Sequence, residues 1–429
     1  MLSNRKPPQG SPPEIRAKAD RITQVRRYRL ITPFYGGGAE TQKPDEVTVV
    51  RASEIRGLLR FWWRATRGGQ FNGSLAKMRA AEEAIWGSAA GDGKAGPSPV
   101  SLAVRIINRG QKLRDVKTKK GAWVNIGDPS SDYGYVAFPL RQDKGSVCQG
   151  IVFELHITIH RTSVRGGGKE LNVREEVEAA LWAWETFGGV GARTRRGFGA
   201  LQLTHIGGKP VPLLAPGQIR QDIQDKLKRY VEGGWWPDGI PHLAPNMKWV
   251  LTKPHADPDE VWRYLFGRLK TFRQDRYPDR KGRRYGRSKW PEPDAIRRIT
   301  GKASPGHTPK HPVQDKFPRG RFGLPIVFHF KDKGDPPDTT LQGAQHDRFA
   351  SRLILRPIAC QGGAVGLACV LEGPKDSPGG YVLKQQGNGQ VLARPSVKLE
   401  PDEAQEIEPL RGEPDVLKAF LKTLGWKEE

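Results

Sequence analysis

Three arginines and a tryptophan in residues 51–67 (RASEIRGLLRFWWRATR) recur at spacings that place them on one face of a helix. At about 100° per residue, Arg56, Arg60, Trp63 and Arg67 project from one side with Arg64 beside them, and apolar residues project from another. Guanidinium groups bind phosphate oxygens through paired hydrogen bonds, and aromatic rings stack on bases. The pattern favours a helix that contacts RNA. The alternative is a core helix with solvated arginines and a covered Trp63.

A second cluster of arginines lies in a glycine-rich stretch, residues 188–199 (GGVGARTRRGFG). Glycines allow backbone amides to approach a phosphate closely, and Arg193, Arg195 and Arg196 would neutralise its charge. The stretch lacks the GxxxxGK[ST] pattern of a P-loop. It also lies between a predicted helix and a predicted strand, unlike a dinucleotide-binding fingerprint. The pattern favours phosphate binding, and the alternative is a glycine-rich connector with exposed arginines.

A third basic segment, residues 273–298, interleaves cations with aromatic rings. This combination suits single-stranded RNA, through phosphate neutralisation and base stacking. A disordered, solvated basic loop is the alternative for the same composition. The candidate contacts are Arg276, Tyr277, Arg283, Arg284, Tyr285, Arg287, Lys289 and Trp290.

Residues with catalytic chemistry are isolated in this sequence. His156 and His160 share one face of a predicted strand, at a spacing that an acid–base pair or two metal ligands could use. Histidines in this pattern are more often the polar side of a half-buried strand. His346 and Asp347 form a dyad without companion ligands, which argues against a metal site.

The composition narrows the class of partner. The chain has 429 residues, a net charge of +25 and a pI near 10.1. Such an excess of positive charge favours a polyanion, with nucleic acid first and an anionic membrane surface second. No apolar run is long enough to span a bilayer and the N-terminus lacks the apolar core of a signal peptide, so we expect a cytoplasmic protein with no membrane partner. Cys148, Cys360 and Cys369 form no CxxC pair, and we expect neither a metal nor a cofactor.

Hydrophobic periodicity predicts the elements that carry these residues. Their order is strand, helix, strand, strand, helix, strand, which is the ferredoxin-like βαββαβ unit of α/β (α+β) proteins. RNA-recognition domains share this topology. The predicted strands are 21–31, 100–108, 151–160 and 200–205, and the predicted helices are 51–67 and 173–187.

Composition shifts along the chain suggest four parts. We expect a flexible arm at residues 1–20, a first module at 21–206 and a Gly/Pro-rich linker at 207–245. A second module, 246–429, would repeat the first and carry a long basic loop at 273–321.

Several of these stretches together resemble the RAMP superfamily of CRISPR effector proteins. They are ITPFYGGG (31–38), RASEIRGLLRFWWRA (51–65) and GGVGARTRRGFGAL (188–201). The last resembles the superfamily's signature glycine-rich loop. The tryptophan-bearing helix is most similar to the first RAMP subunit of type III-B (Cmr) effector complexes. FGRLKTFRQ (266–274) and GRSKWPEPDAIRR (286–298) resemble the same subunit.

The resemblance implies two ferredoxin-like RAMP modules in one subunit of a ribonucleoprotein. Its partners would be a CRISPR RNA, a target single-stranded RNA and other RAMP subunits. The subunit would contact the 3′ region of the guide, help to capture complementary RNA in antiviral defence, and leave target cleavage to a different subunit. The helix face and the glycine-rich loop would form one RNA groove, lined by Tyr35, Gly36, Gly37, Arg56, Arg60, Trp63, Arg64, Arg193, Arg195, Arg196 and Phe198.

An endoribonuclease of the same superfamily, processing guide RNA or cleaving target RNA, is the alternative function. RAMP subunits that cleave RNA use a loop aspartate in a place broadly similar to Asp45, and His156 and His160 would be further candidates. A simple loop charge also explains Asp45. A third class is a basic scaffold that contacts only protein subunits.

Overall fold

Backbone hydrogen bonding defines the elements of the computed structural model, which describes residues 21–38, 45, 47–88, 96–143, 147–279, 282 and 286–428. The expected arm at residues 1–20 and the candidate residues Arg283, Arg284 and Tyr285 lie outside the described residues. In the first half, the elements are β1 Ile22–Leu30, β2 Phe34–Tyr35, α1 Ala52–Arg67, α2 Leu75–Trp86, β3 Val100–Asn108, β4 Gln111–Leu113, β5 Asp115–Lys117, β6 Trp123–Asn125, α3 Gly134–Ala137, β7 Val147–Gln149, β8 Val152–Ile159, β9 Ser163–Gly166, β10 Lys169–Asn172, α4 Val173–Phe187 and β11 Leu201–Ile206. In the second half, they are β12 Lys209–Pro210, α5 Ile219–Tyr230, β13 Trp249–Leu251, α6 Pro258–Arg273, α7 Glu292–Thr300, β14 Ile326–Phe328, β15 Thr339–Gly343, β16 Leu353–Cys360, β17 Gly363–Val370, β18 Tyr381–Gln385, β19 Val391–Ala393, α8 Pro401–Glu406 and α9 Val416–Thr423.

The first half contains a complete ferredoxin-like sheet. β1, β3, β8 and β11 pair antiparallel in the order β11-β1-β8-β3, and β12 extends the β11 edge. Counted along the chain, this is the order four, one, three, two of the βαββαβ unit. Alternation along β8 buries Phe153, Leu155 and Ile157 against the helices. The predicted ferredoxin-like α/β fold is confirmed.

Helices α1 and α4 pack against each other and against this sheet. α4 begins at Val173 because the side chain of Asn172 accepts the backbone N–H groups of the first turn. Its buried Trp184 meets Tyr28 of β1 edge-to-face, with ring centroids 5.3 Å apart. α1 contributes Leu59 and Trp62 to the same core. Burial of side chains this large stabilises the fold by ~1.5–3 kcal/mol each.

Long insertions separate the strands of the first sheet. Between β3 and β8 the chain adds β4 to β7: β4 and β7 form a small antiparallel sheet with the earlier β2, in the order β2-β7-β4, and β5 pairs with β6. Ile126, directly after β6, is buried in a cluster that also contains Trp262 and Phe266 of α6. The insertion is therefore packed onto the second half of the chain.

The second half repeats part of the ferredoxin-like unit. β13, β16 and β17 form an antiparallel sheet in the order β13-β17-β16, which corresponds to strands one, three and two. α6 packs on β16 and β17, and α9 packs beside α6 in the place of the second helix. Within the described ranges no strand pairs with the free edge of β13, so a fourth strand is absent there. β14, β15, β18 and β19 form a separate sheet.

The segment expected as a linker, residues 207–245, is folded onto both halves. Ile219, Ile223 and Leu227 of α5 are buried in the core that α1 and α4 share. Trp236 donates its indole N–H to a backbone carbonyl of α1 at 2.9 Å. None of the helices in the described part of the chain has the length and apolarity to cross a bilayer.

Candidate nucleic-acid interface

Arg56, Arg60 and Arg64, here called the arginine face of α1, are bound to protein atoms. Arg56 donates to the backbone carbonyls of Trp86 at 3.1 Å and Val100 at 2.8 Å. Loss of hydration and the nearby Arg60 lower the pKa of Arg56. Arg56 therefore ties α1 to the end of α2 and the start of β3.

The other two arginines of this face share one carboxylate of α2. Arg60 donates to Glu82 at 2.6 Å, and Arg64 donates to the same oxygen. Glu82 is buried, so the pair of arginines neutralises a charge that would otherwise be costly to bury. Both side chains are thus engaged by α2 while about a third of each stays exposed, and phosphate contact by this face stays a prediction.

Trp63 is a core residue and presents no ring surface to a base. Its side chain is fully buried, and its indole N–H donates to Glu176 of α4 at 2.6 Å. Arg67 pairs with the same carboxylate at 2.8 Å. The alternative interpretation of this helix is therefore the better one, except that its arginines are paired rather than solvated. Periodicity could not reveal α2 and α4 as partners.

The glycine-rich loop, residues 188–199, is a tightly bound turn. The hydroxyl of Thr32 donates to the carbonyl of Gly197 at 2.7 Å. Gly199 has a φ of +59°, and a Cβ there would lie 2.0 Å from the carbonyl oxygen of Val190. Glycine is required at this position by close packing of the backbone, not by a ligand.

Two arginines of the loop reach into the second half of the chain. Arg196 donates to the carbonyls of Leu353 and Phe322, both at 3.1 Å. Arg195 donates to the carbonyl of Ser351. Burial lowers the pKa of Arg196 to about 9. These two guanidinium groups join the two sheets, and their expected phosphate contacts are replaced by carbonyl contacts.

Phe198 follows the same pattern. It is fully buried, and its ring centroid lies 4.8 Å from that of Trp262 in α6. The indole of Trp262 donates to the carbonyl of Arg196 at 2.7 Å. Phe198 therefore stabilises the contact between the halves and does not line a groove.

Tyr35, Gly36, Gly37 and Arg193 lie together, as the resemblance implies. The backbone N–H of Ala192 donates to the carbonyl of Tyr35 at 2.7 Å. Gly36 and Gly37 have φ values of +66° and +87°, which favour glycine. Burial lowers the pKa of Arg193, which has no carboxylate partner among the described residues.

This group lies on the side of α1 away from the arginine face. The backbone N–H of Gly191 donates to Glu54, and the guanidinium of Arg195 lies 5.5 Å from the ring centre of Phe61. Glu54 and Arg56 are about 200° apart around the helix. The expected single groove, lined by the arginine face and the glycine-rich loop together, does not form.

The third basic segment is also largely paired with carboxylates. Arg287 binds Asp294 at 2.7 Å, and Lys289 binds Glu408. Trp290 is buried, and its indole donates to a backbone carbonyl at 2.9 Å. Arg287 and Lys289 are thus structural contacts, and Trp290 is not available for stacking on a base.

A different surface does collect accessible positive charge. A cleft of about 1310 Å³, here called the basic cleft, opens between α6, the β5–β6 turn, the start of α7 and β14. Its lining spans residues from 119 to 335, so both halves of the chain build it. Its basic side chains are Lys119, Arg263, Lys270, Arg276, Arg287, Arg297, His307, Arg319, His329 and Lys331, and its acidic ones are Asp132, Glu260, Asp275, Asp332 and Asp335.

Four of these cations are available to an anion. Within the described residues, no carboxylate lies at salt-bridge distance from Lys119, Lys270, Arg276 or Lys331. Arg276 instead donates to a backbone carbonyl at 3.1 Å. Loss of hydration, followed by the charges of Arg319 and another nearby arginine, lowers the pKa of Arg276. Crowded like charges of this kind bind an anion favourably.

Sequence reasoning found only part of this cleft. Arg276 was a candidate because it lies among aromatic residues in the third basic segment. Lys119, Lys270 and Lys331 come from three distant segments, and only their fold brings them together. The lysine-rich composition of residues 109–120 was the available signal for Lys119.

The isolated catalytic candidates have structural partners. Asp45 accepts the backbone N–H groups of Val47 at 2.9 Å and Thr48 at 2.7 Å, and these bonds lower its pKa. His156 lies 3.6 Å from Glu154. His160 contacts a serine hydroxyl at 2.8 Å. None of these arrangements forms an acid–base pair.

His307, Asp332 and Asp335 form the group in the described residues that is close enough to hold a metal ion. Arg297 already binds the Asp335 carboxylate at 2.8 Å, and Ser304 donates its backbone N–H to the same group at 3.0 Å. These bonds keep the pKa of Asp335 well below its usual range. A guanidinium in direct contact disfavours a second cation, so this cluster does not indicate a metal centre.

Known proteins are similar to the first half of the chain. Residues 27–202 match the family profile described as the RAMP superfamily. The similarity to this superfamily covers these residues, which carry α1, β1, β3, β8 and α4. The matched region, here called the RAMP-like region, contains the glycine-rich loop and α1, on which the resemblance rests.

A curated protein is also similar in sequence to part of the chain. The CRISPR system Cmr subunit Cmr1-2 of Pyrococcus furiosus is 24% identical over 176 residues, which are 40% of this chain and 90% of that protein. Two solved structures are also similar. The crystal structure of Cmr1 from Pyrococcus furiosus, in its apo form, is 16% identical with a TM-score of 0.46, over 82% of this chain and 88% of that one. A chain in the cryo-EM structure of the type III-B Cmr-beta bound to cognate target RNA is 11% identical with a TM-score of 0.49, over 94% of this chain and 100% of that one.

Proposed function

We propose that this chain is an RNA-binding, non-catalytic subunit of a type III-B CRISPR ribonucleoprotein effector complex. It contacts the 3′ region of the CRISPR RNA and helps to capture complementary target RNA, beside other RAMP subunits. The RAMP-like region and the relative named as a Cmr subunit support the assignment to this class of complex. Its own sequence readout is small, because the guide supplies sequence recognition by base pairing.

One observation carries the RNA-binding part of the proposal: the basic cleft. At about 1310 Å³, it exceeds the ~300–1,000 Å³ of small-molecule pockets, and its lining carries ten basic side chains against five acidic ones. Lys119, Lys270, Arg276 and Lys331 are free of carboxylate partners among the described residues. An extended polyanion fits such a surface better than a compact ligand does.

Contacts to phosphate through these side chains give salt-sensitive binding. If about four phosphates are contacted, the logarithm of the association constant falls with the logarithm of salt concentration at a slope near −3. A slope near zero contradicts the proposal.

The decisive variants remove the unpaired cations. Replacing Lys270, Arg276 and Lys331 together with alanine removes up to three phosphate contacts. The magnitude of the slope should then decrease by about 2, and affinity for a single-stranded RNA should fall at least ~30-fold. A matched control replaces the exposed Lys209, Lys228 and Lys253, which do not line the cleft. Equal affinities of the two triple variants contradict the assignment of the cleft.

The non-catalytic part is tested with end-labelled RNA. We expect no defined cleavage by purified protein, with or without a divalent metal, because Asp45 and His160 are engaged in local hydrogen bonds. Defined cleavage that Asp45→Ala or His160→Ala abolishes assigns the chain to the RAMP-family endoribonucleases instead.

A further inference from the structure

The hairpin formed by β5 and β6 carries an aromatic ring that the core does not use. Of the chain's twelve tryptophans, Trp123 and Trp235 are the two whose side chains are mostly exposed, at 70% and 80%. Exposing a large apolar group to water is unfavourable, but single exposed side chains are common on protein surfaces, so the surroundings of the ring decide what it can bind.

The position of Trp123 is fixed by its hairpin. Trp123 pairs directly with Lys117 across the two strands, so both side chains project from the same face. The turn is closed by a hydrogen bond from the backbone N–H of Thr118 to the carbonyl of Ala122 at 2.8 Å. Gly121 supplies the positive φ of +88° that the turn needs.

The base of the hairpin is anchored in the protein interior. Ile126 is buried, and its backbone N–H donates to the carbonyl of Arg114 at 2.9 Å. Val116 packs against the same apolar cluster. One face of the hairpin is thus held by the core, and the opposite face presents Trp123 and Lys117 to solvent.

The charge around the ring selects its ligand. Residues 109–125 contain six cations and one acidic residue: Arg109, Lys112, Arg114, Lys117, Lys119 and Lys120 against Asp115. Lys119, in the turn, also lines the basic cleft. A surface that combines an exposed ring with positive charge binds single-stranded nucleic acid, since the ring stacks on a base and the cations bind its phosphates.

We propose that Trp123 stacks on an unpaired base of single-stranded RNA, with Lys117 and Lys119 binding the adjacent phosphates, where the strand enters the basic cleft. This inference rests on the proposed function and assigns a base-contacting residue to it. Stacking on a ring is tolerant of sequence, because every base has an aromatic face. The site therefore adds affinity without base specificity.

The test compares Trp123→Ala, Trp123→Phe and the control Trp235→Ala in the full chain, by fluorescence anisotropy with a labelled 12-nucleotide oligouridine. We expect Trp123→Ala to weaken binding about 10-fold, Trp123→Phe to retain most of the affinity, and Trp235→Ala to match the unaltered protein. An abasic RNA of the same length separates stacking from charge, because its affinity should be equal in all four proteins.

Three other outcomes would overturn the inference. If Trp123→Ala binds oligouridine as Trp235→Ala does, while the Lys270/Arg276/Lys331 variant binds more weakly, the stacking site is wrong and the proposed function stands. If neither Trp123→Ala nor the Lys270/Arg276/Lys331 variant changes binding, the stacking site and the proposed function are both wrong. If Trp123→Ala affects only association with other subunits of the complex, the exposed ring is a protein contact.

Discussion

The arginine face of α1 and the basic cleft carry similar charge but differ in what surrounds it. Arg60 and Arg64 share a buried carboxylate of α2, whereas Lys270 and Lys331 have no carboxylate partner among the described residues. A paired guanidinium holds helices together, and breaking its pair to bind phosphate would leave a buried carboxylate uncompensated. The number of cations in a segment therefore does not identify an RNA-binding surface; the partners available to each one do.

The largest expected effect comes from the buried carboxylate behind α1. Replacing Glu176 with alanine leaves the buried indole N–H of Trp63 without its acceptor and leaves Arg67 with Glu232, at 2.7 Å, as its remaining carboxylate partner. We expect a loss of about 3–5 kcal/mol in the free energy of unfolding, measured by chemical denaturation. The exposed neighbouring change Glu175→Ala serves as the control, with a loss below about 1 kcal/mol. Equal losses in the two variants mean that α1 is not held in this way.

The glycine-rich loop gives the next largest effect. Arg196→Ala leaves the carbonyls of Phe322 and Leu353 without a donor, which costs about 1–3 kcal/mol of stability. RNA affinity of the folded variant, measured well below its melting temperature, should be unchanged. The interpretation from sequence predicts the reverse, with weakened RNA binding and an intact fold.

The junction between the loop and α1 gives a pH-dependent effect. Burial raises the pKa of Glu54 to about 7. Its unfolded value is near 4.5, so the folded state holds this proton more tightly and stability falls as pH rises from about 4.5 through 7. We expect Glu54→Gln to abolish this pH-dependent fall in the free energy of unfolding, which is about 2 kcal/mol in the unaltered protein. The melting temperature of the variant should therefore change less with pH. Parallel profiles for the two proteins contradict this.

The smallest effects compare one cation from each region. Arg60→Ala removes a partly exposed contact to Glu82 and should cost at most about 1 kcal/mol, with no change in RNA affinity. Lys270→Ala should leave the unfolding free energy unchanged and weaken RNA binding a few-fold. If Arg60→Ala is the variant that weakens binding, the two regions have been assigned in the wrong order.

Helix boundaries were predictable where the hydrophobic periodicity of the segment and its capping residues agree. The predicted bounds of α4, 173–187, match the structure, because Asn172 caps the start and Gly188 ends the helix. The start of α1 differs by one residue. The order of the first sheet also followed from the order of its elements.

Contacts between distant segments were not predictable. The basic sequence around Trp63 and Trp290 predicts that their rings stack on bases, but packing against α4 and α6 buries both side chains. Residues 207–245 were predicted to be a linker because Gly and Pro are frequent there, yet α5 buries an apolar stripe in the core that α1 and α4 share. The basic cleft depends on segments more than 200 residues apart, such as those of Lys119 and Lys331.

The central claim, that RNA binds the basic cleft and not the arginine face of α1, is tested most directly by photocrosslinking. The chain is irradiated with a single-stranded RNA containing 4-thiouridine, and the crosslinked residues are located by mass spectrometry. The account predicts crosslinks in residues 111–125 and 263–276. Crosslinks confined to α1, residues 52–67, would contradict it.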